Sequence, residues 1–144
     1  MPVISKSALV TFSASRMFDL VADMEAYPEF LPWCVAAKVL SREEDRVCGR
    51  MEVARMGIHQ SFSTCNRLVP GERMELVLAD GPFRKLQGAW TFLPLRRDAC
   101  KVTLELEFEF SGKLIDKAFG RVFSQIANTL VDAFCKRAEK VYRD

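Results

Sequence analysis

In the stretch IDKAFGRVFSQIANTLVDAFCKRAEKVY, residues 115–142, the apolar positions decide the reading. Ile115, Phe119, Val122, Ile126, Leu130, Phe134 and Val141 recur at spacings of three, four and seven. Such spacing sets them along one stripe of an α-helix. Phe123, Ala127 and Val131 widen the stripe, while Lys117, Arg121, Asp132, Lys136, Glu139, Lys140 and Arg143 take the other face. At ~1.5 Å per residue the helix is about 40 Å long, enough to cross a small domain. Gly112 marks the turn before it. Gly120 is an interior weak point worth about 1 kcal/mol against alanine. A stripe this long needs an equally long apolar surface to cover it.

That surface lies upstream. From Lys101 to Phe110, Val102, Leu104, Leu106, Phe108 and Phe110 alternate with Thr103, Glu105, Glu107 and Glu109. Alternation of this kind gives one buried and one wet face, the mark of an antiparallel sheet. Weaker alternation runs through Met74-Leu76-Leu78, Leu86-Gly88-Trp90-Phe92 and Ile58-Gln60-Phe62-Thr64. Further strands are expected over 3–12, 35–42 and 47–56. Turn signals at Glu43–Arg46, Pro70-Gly71, Asp80-Gly81-Pro82 and Arg96-Arg97-Asp98 separate them. Consecutive strands joined by tight turns form a meander without crossovers. Seven strands curl, and the long helix laid on the concave face buries both partners. The expected class is α+β, in a single domain over 1–144.

Between the first strand and the meander, Ser13 is a plausible N-cap for a short helix whose apolar face is Phe18, Leu20, Val21 and Met24. Pro28 is expected to end it by pushing Tyr27 toward extended geometry. Tyr27-Pro28-Glu29-Phe30-Leu31-Pro32-Trp33 is too stiff and too apolar for a solvated loop. It reads as a short helical turn packed inward.

The composition is that of one globular core: 144 residues, 49% hydrophobic and 28% charged. A net charge of +2, from 21 basic and 19 acidic residues, gives no strong argument for nucleic acid, DNA included, or for an anionic membrane. Cys34, Cys48, Cys65, Cys100 and Cys135 are odd in number and scattered, with no CxxC pair. This argues against a disulfide framework or a zinc site and for small buried hydrophobes in a reducing compartment. Met1–Lys6 has no signal-peptide pattern, and no run approaches the ~18 apolar residues of a spanning helix. A soluble, cytoplasmic protein is expected.

No catalytic constellation is present, and no enzyme, metal or resident cofactor is expected. The only histidine, His59, sits beside Gln60 in an alternating strand. It reads as a surface or hydrogen-bonded residue, or else as a lone inward acid–base group. Glu105, Glu107 and Glu109 share the wet face of their strand. Neither GxGxxG nor GxxxxGK[ST] occurs. What stands out is apolar surplus: eleven phenylalanines and two tryptophans. These side chains either fill a close-packed core or line a hollow under the helix. Composition does not choose between the two.

The string LVADMEAYPEFLPWC, residues 20–34, resembles the signature of the coenzyme Q-binding, START-like family. So do Gly81-Pro82-Phe83-Arg84-Lys85-Leu86, the following Trp90 and Phe92, and the closing Ala133-Phe134-Cys135-Lys136-Arg137-Ala138. This family belongs to the helix-grip (SRPBCC) superfamily, also named for polyketide cyclases. Its fold, β-α-α-β6-α with a curved seven-stranded sheet gripping the last helix, agrees with the pattern above. The resemblance implies an apolar cavity and a ubiquinone-like ligand, carried in support of respiration. Phe30, Leu31 and Trp33 would then form its wall or mouth. Phe62, Leu76, Leu78, Phe83, Leu86, Trp90, Leu106 and Phe108 would line the sheet side. Phe119, Phe123, Ile126 and Leu130 would cover it from the helix. Gln60 or Thr64 would offer a hydrogen bond to a quinone carbonyl. Arg84 would meet a head group, a membrane surface or a protein partner, or simply be solvated.

Some bacterial members of the family are ribosome-association toxins, which bind the large ribosomal subunit and block subunit joining. That role needs a basic face, for which Lys113, Lys117, Arg121, Lys136, Arg137, Lys140 and Arg143 on the last helix are the candidates. Asp116, Asp132, Glu139 and Asp144 interrupt it, and mixed-charge helices are usually only solvated faces.

Overall fold

A computed structural model describes residues 3–142. Arg143 and Asp144, read above as part of the helix's charged face, lie outside the described residues, as do Met1 and Pro2. Strand β1 (Val3–Val10) leads into helix α1 (Ala14–Ala22) and a 3-10 turn (Met24–Glu29). Six strands follow: β2 (Cys34–Arg42), β3 (Arg46–Arg55), β4 (Ile58–Val69), β5 (Arg73–Asp80), β6 (Phe83–Arg96) and β7 (Ala99–Phe110). Helix α2 (Lys113–Tyr142) closes the chain.

The sheet has the order β1-β7-β6-β5-β4-β3-β2, antiparallel throughout. The meander expected for β2–β7 is present, and β1 adds to β7. Because β1 and β2 lie on opposite edges, α1 and the 3-10 turn carry the chain across one end of the sheet. Both β4 and β6 outrun the stretches where alternation is clean, since backbone pairing continues after the apolar pattern fades. The β3–β4 hairpin turns through Met56 and Gly57, both at positive φ, the backbone that a two-residue hairpin loop requires.

Helix α1 starts as its sequence predicts, with Ser13 Oγ accepting from the Arg16 N–H at 3.1 Å. It ends at Ala22, before Pro28, as expected, but Tyr27 departs from expectation. Pro28 lies inside the 3-10 turn instead of forcing Tyr27 into extended backbone. A short turn tolerates the missing proline N–H because the Tyr27 carbonyl accepts from Phe30 and Leu31 and closes it. The Tyr27 hydroxyl donates to the Val21 carbonyl, and burial holds its pKa well above the ordinary phenol value. On the sheet side, Met24 lies over Gly49, where a Cβ would collide with its thioether. The Glu25 carboxylate accepts from the N–H of Val39, on the edge strand β2, at 3.0 Å.

The concave face and α2 enclose the core. Phe119, Val122, Phe123, Ile126, Ala127, Val131, Phe134 and Ala138 are buried. Val141, placed on the stripe by its seven-residue spacing, is 48% exposed. Val141 lies in the last turn of the helix, while Ala138, about one turn earlier, is buried. Tyr142 turns back, its hydroxyl donating to the Arg16 carbonyl at 2.9 Å. Toward the start of α2 the phenylalanines fill space. Phe83, Phe110, Phe119 and Phe123 pack with centroid spacings of 4.9 to 6.1 Å, and Phe108 stands 4.8 Å from Phe123.

One cysteine expectation is overturned. Cys48 and Cys65 face each other across β3 and β4 and are joined as a disulfide. Register, invisible in the spacing of cysteines along the chain, brings together residues separated by 17 positions. Cys34 and Cys100 are buried free thiols and Cys135 is half-buried.

Phe108→Ala should cost about 3–5 kcal/mol in urea-induced unfolding, as truncations in filled aromatic cores do. Val141→Ala should change stability by no more than about 0.5 kcal/mol.

Candidate functional site

Past the phenylalanine cluster, the space between sheet and helix opens. Helix α2 roofs a cavity with Phe123, Ile126, Ala127, Leu130 and Phe134. Met51 and Val53 of β3, then Phe62, Thr64 and Asn66 of β4, form one half of its floor. Met74 and Leu76 of β5, Leu86 and Trp90 of β6 and Leu106 of β7 form the other half. Met24, Tyr27 and Trp33 wall one end. The hollow has a local cause. Ala127 in the roof presents only a methyl group, and Thr64 in the floor is short. Three methionines in the lining adapt to whatever fills the remaining space.

The volume open to the centres of water molecules is about 80 Å³, several times the ~10–15 Å³ that one water needs. Among the described residues, no charged side chain lines it. Met51, Leu76 and Leu130 are only half-buried, whereas the other lining residues are buried. Its polar groups are the Tyr27 hydroxyl, already bonded to Val21, the side chains of Thr64 and Asn66, and the indole N–H groups of Trp33 and Trp90. Asn66 is 7% exposed. Its Nδ2 reaches only the Met74 sulfur, at 4.0 Å, and its Oδ1 has no hydrogen-bond partner. An unpaired buried acceptor costs about 1–3 kcal/mol.

Of the residues named from sequence, Trp33, Phe62, Thr64, Leu76, Leu86, Trp90, Leu106, Phe123, Ile126 and Leu130 come together on this cavity. Phe83, Phe108 and Phe119 instead belong to the filled end. Leu31 is buried in the core outside the cavity lining. Phe30 is half-buried, its ring under the Arg137 guanidinium at 4.9 Å. Gln60, opposite Val53, and Leu78, opposite Thr64, also lie outside the lining. Arg84 is exposed and pairs with Glu109 at 3.3 Å.

Sequence reading missed Met24, Tyr27, Met51, Val53, Asn66, Met74, Ala127 and Phe134 as lining. Asn66 continues the alternation of Phe62 and Thr64, which was followed only to Thr64. Ala127 and Phe134 were already on the helical stripe.

The groups considered for chemistry point away from the cavity. His59 is on the convex face, 65% exposed, with Nε2 3.4 Å from a Glu52 carboxylate oxygen. Glu107 accepts from Lys85 at 2.9 Å and from Gln87 at 3.1 Å, and these bonds, the lysine's first, hold its carboxyl below the usual range. Burial pushes the Cys34 thiol up to about 11; at Cys135 burial, reinforced by Asp132, does the same.

Residues 10–135 match the family described as polyketide cyclase/dehydrase and lipid transport. The chain is 48% identical over 142 residues to the ribosome association toxin RatA of Vibrio cholerae, covering 99% of each protein. It is 30% identical over 142 residues to the mitochondrial coenzyme Q-binding protein COQ10 homolog B of Xenopus laevis, covering 96% of this chain and 58% of that protein. The Zhui aromatase/cyclase of Streptomyces sp. R1128 superposes with a TM-score of 0.87 at 14% identity, over 99% of this chain and 96% of that one. That likeness speaks to the fold alone.

Asn66→Leu should stabilise the ligand-free protein by about 1–2 kcal/mol in denaturant titrations, because it removes the unpaired acceptor and keeps the volume. At pH 8 the native Cys34 and Cys135 should resist iodoacetamide, since raised pKa values keep them as neutral thiols. Their alkylation should accelerate as the pH approaches about 11 and be rapid at pH 8 in denaturant.

Proposed function

The chain belongs to the polyketide cyclase/dehydrase and lipid-transport family, and from that premise we propose that it is a non-catalytic ribosome-association protein of the toxin type. It would bind the large ribosomal subunit and hinder subunit joining. The observation that carries this reading is its near-full-length likeness, at 48% identity, to a protein named for ribosome association. His59 in solvent fits a protein that does no acid–base chemistry in its cavity.

A second reading, that the cavity carries an apolar ring-bearing molecule of the quinone class, is favoured by a specific observation: the unpaired Asn66 amide in a mostly apolar lining. Its Nδ2 would donate to a quinone carbonyl, in place of a weak contact to sulfur. Its Oδ1 would accept from the hydroxyl of the reduced form. One amide thereby suits both redox states. An isoprenoid tail would leave past the half-buried Met51, Leu76 and Leu130. The 30% identity to a protein named for coenzyme Q binding agrees with this, and one chain can do both jobs.

Ribosome association implies the cytoplasm, where disulfides are ordinarily reduced. Cys48 and Cys65 would then face each other as thiols, with the β3–β4 ladder from Arg46–Arg67 to Arg55–Ile58 holding the strands together.

Overproduction should slow growth, and the protein should co-sediment with large subunits in sucrose gradients; unchanged growth with no co-sedimentation would remove the toxin reading. Solvent extraction with mass spectrometry should find a quinone on the purified protein. Ala127→Leu, which fills the hollow from a helical position, should weaken binding of a short-chain ubiquinone analogue at least tenfold with the fold retained. Undiminished binding would put the ligand elsewhere.

A further inference from the structure

We propose that the convex face of β2–β4 is a docking surface for folded RNA, gripped through its phosphate backbone; this rests on reading the protein as ribosome-associated. The observation that prompts it is an arrangement that sheet stability disfavours. Lys38 of β2 stands directly opposite Arg50 of β3. Four residues along β3, on the far side of Cys48, Arg46 stands directly opposite Arg67 of β4. Like charges directly opposed across strands are destabilising, and here two such pairs are neighbours. All four side chains belong to exposed residues.

No acid is bonded to them, although Asp45 and Glu75 line one surface hollow with Arg46 and Arg67. Among the described residues, none of the four takes part in an ion pair. Arg50 donates to the Ser61 hydroxyl at 3.0 Å. Glu75, opposite Arg67, is already engaged by Arg73 at 2.9 Å, and Glu52, next along β3, by His59. All four cations share one face. The Cys48–Cys65 bond joins side chains on the same side as Arg46, Arg50 and Arg67. The alternate residues Met51, Val53, Thr64 and Asn66 point to the cavity.

Charge on the sheet is mixed: Glu52 and Glu75 lie beside the cations, while Lys85 and Arg84 pair with carboxylates of β7. The same convex surface carries Glu105, Glu107 and Glu109 on β7, three strands or more from the cations. The helix suggested by sequence is a poorer candidate. Lys136 is paired with Asp132 at 3.1 Å, and Arg137 is paired with Glu29 at 2.9 Å with its side chain only 17% exposed.

The surroundings also choose the polyanion. Ser61 accompanies the cations, Ser63 beside it is buried, and the convex register positions of β2–β4 hold no Phe, Tyr or Trp; their one imidazole, His59, lies toward the far end, opposite Ala54 and against Glu52. Membrane interfaces are enriched in Trp and Tyr, and single-stranded nucleic acid is held by stacking on aromatic rings. Neither device is present. Arginine forks without rings suit phosphates of helical RNA, read by shape and backbone.

The test uses the full chain and a fourfold variant, Lys38→Gln, Arg46→Gln, Arg50→Gln and Arg67→Gln. The probes are deproteinised large-subunit rRNA, intact large subunits, and vesicles of phosphatidylglycerol with phosphatidylcholine. The native protein should bind the rRNA with an affinity falling as roughly the third to fourth power of salt, given about 0.9 ions released per phosphate contact. The variant should bind at least tenfold more weakly, lose most of that salt dependence, and melt no lower, since repulsion is relieved. Lys136→Gln with Lys140→Gln should leave RNA binding unchanged. Equal binding by the fourfold variant, or binding of vesicles but not rRNA, overturns the proposal. If the native protein sediments with intact subunits but ignores free rRNA, the RNA face falls and the ribosome reading stands. If it binds rRNA through these four residues but ignores subunits, the reverse holds.

Discussion

The packing of α2 against the concave sheet is the constraint from which the rest of the structure follows. A thirty-residue helix with one apolar stripe requires a sheet long enough to cover it and curved enough to meet both flanks. Seven antiparallel strands meet that requirement. Because both partners are rods of fixed geometry, side-chain size along the stripe decides whether the gap is filled. Phe119 and Phe123 close one end against Phe83, Phe108 and Phe110. Ala127 leaves the middle open. Filled core and cavity are thus two stretches of one interface, distinguished by the size of the side chain that the helix presents.

Burying every aromatic-rich surface on the inside leaves the convex face free for charge. There the sheet carries cations on β2–β4 and carboxylates on β7, with Lys85, Gln87 and Arg84 answering two of the latter. The two faces of β4 make the division concrete. Phe62, Thr64 and Asn66 look into the cavity, while Cys65 and Arg67, one residue out of phase, look outward. Period-two alternation therefore lets one strand serve an apolar site and a polar surface without compromise.

Much of this was legible in the residues. The stripe from Ile115 to Phe134 and the alternation from Val102 to Phe110 mark helix and sheet, because each exposes one face to water along its length. The resemblance carried by residues 20–34 and 81–86 led to a cavity, and ten of the residues named for it do line one. What could not be read depends on pairing or on size. Cys48 and Cys65 meet through strand register, and so do Lys38 with Arg50 and Arg46 with Arg67. A net charge of +2 conceals such a patch because it sums over the whole chain and says nothing of which charges the register sets face to face. Phe83, Phe108 and Phe119 were assigned to the cavity because periodicity reports which way a side chain points and not whether its neighbours fill the space. Pro28 in a 3-10 turn shows the limit of a rule about helices applied to a single short turn.

The hollow between helix and sheet at Ala127 is proposed to accept an apolar ring. Methyl-detected NMR during titration with a short-chain ubiquinone analogue tests it most directly. The methyl signals of Met24, Met51, Met74, Ala127 and Leu130 should shift together and saturate, with Thr64 following, while Val102 and Leu104, outside the lining, stay in place. Shifts confined to outward-facing methyls such as Leu93 or Val77, or none at saturating ligand, would contradict it.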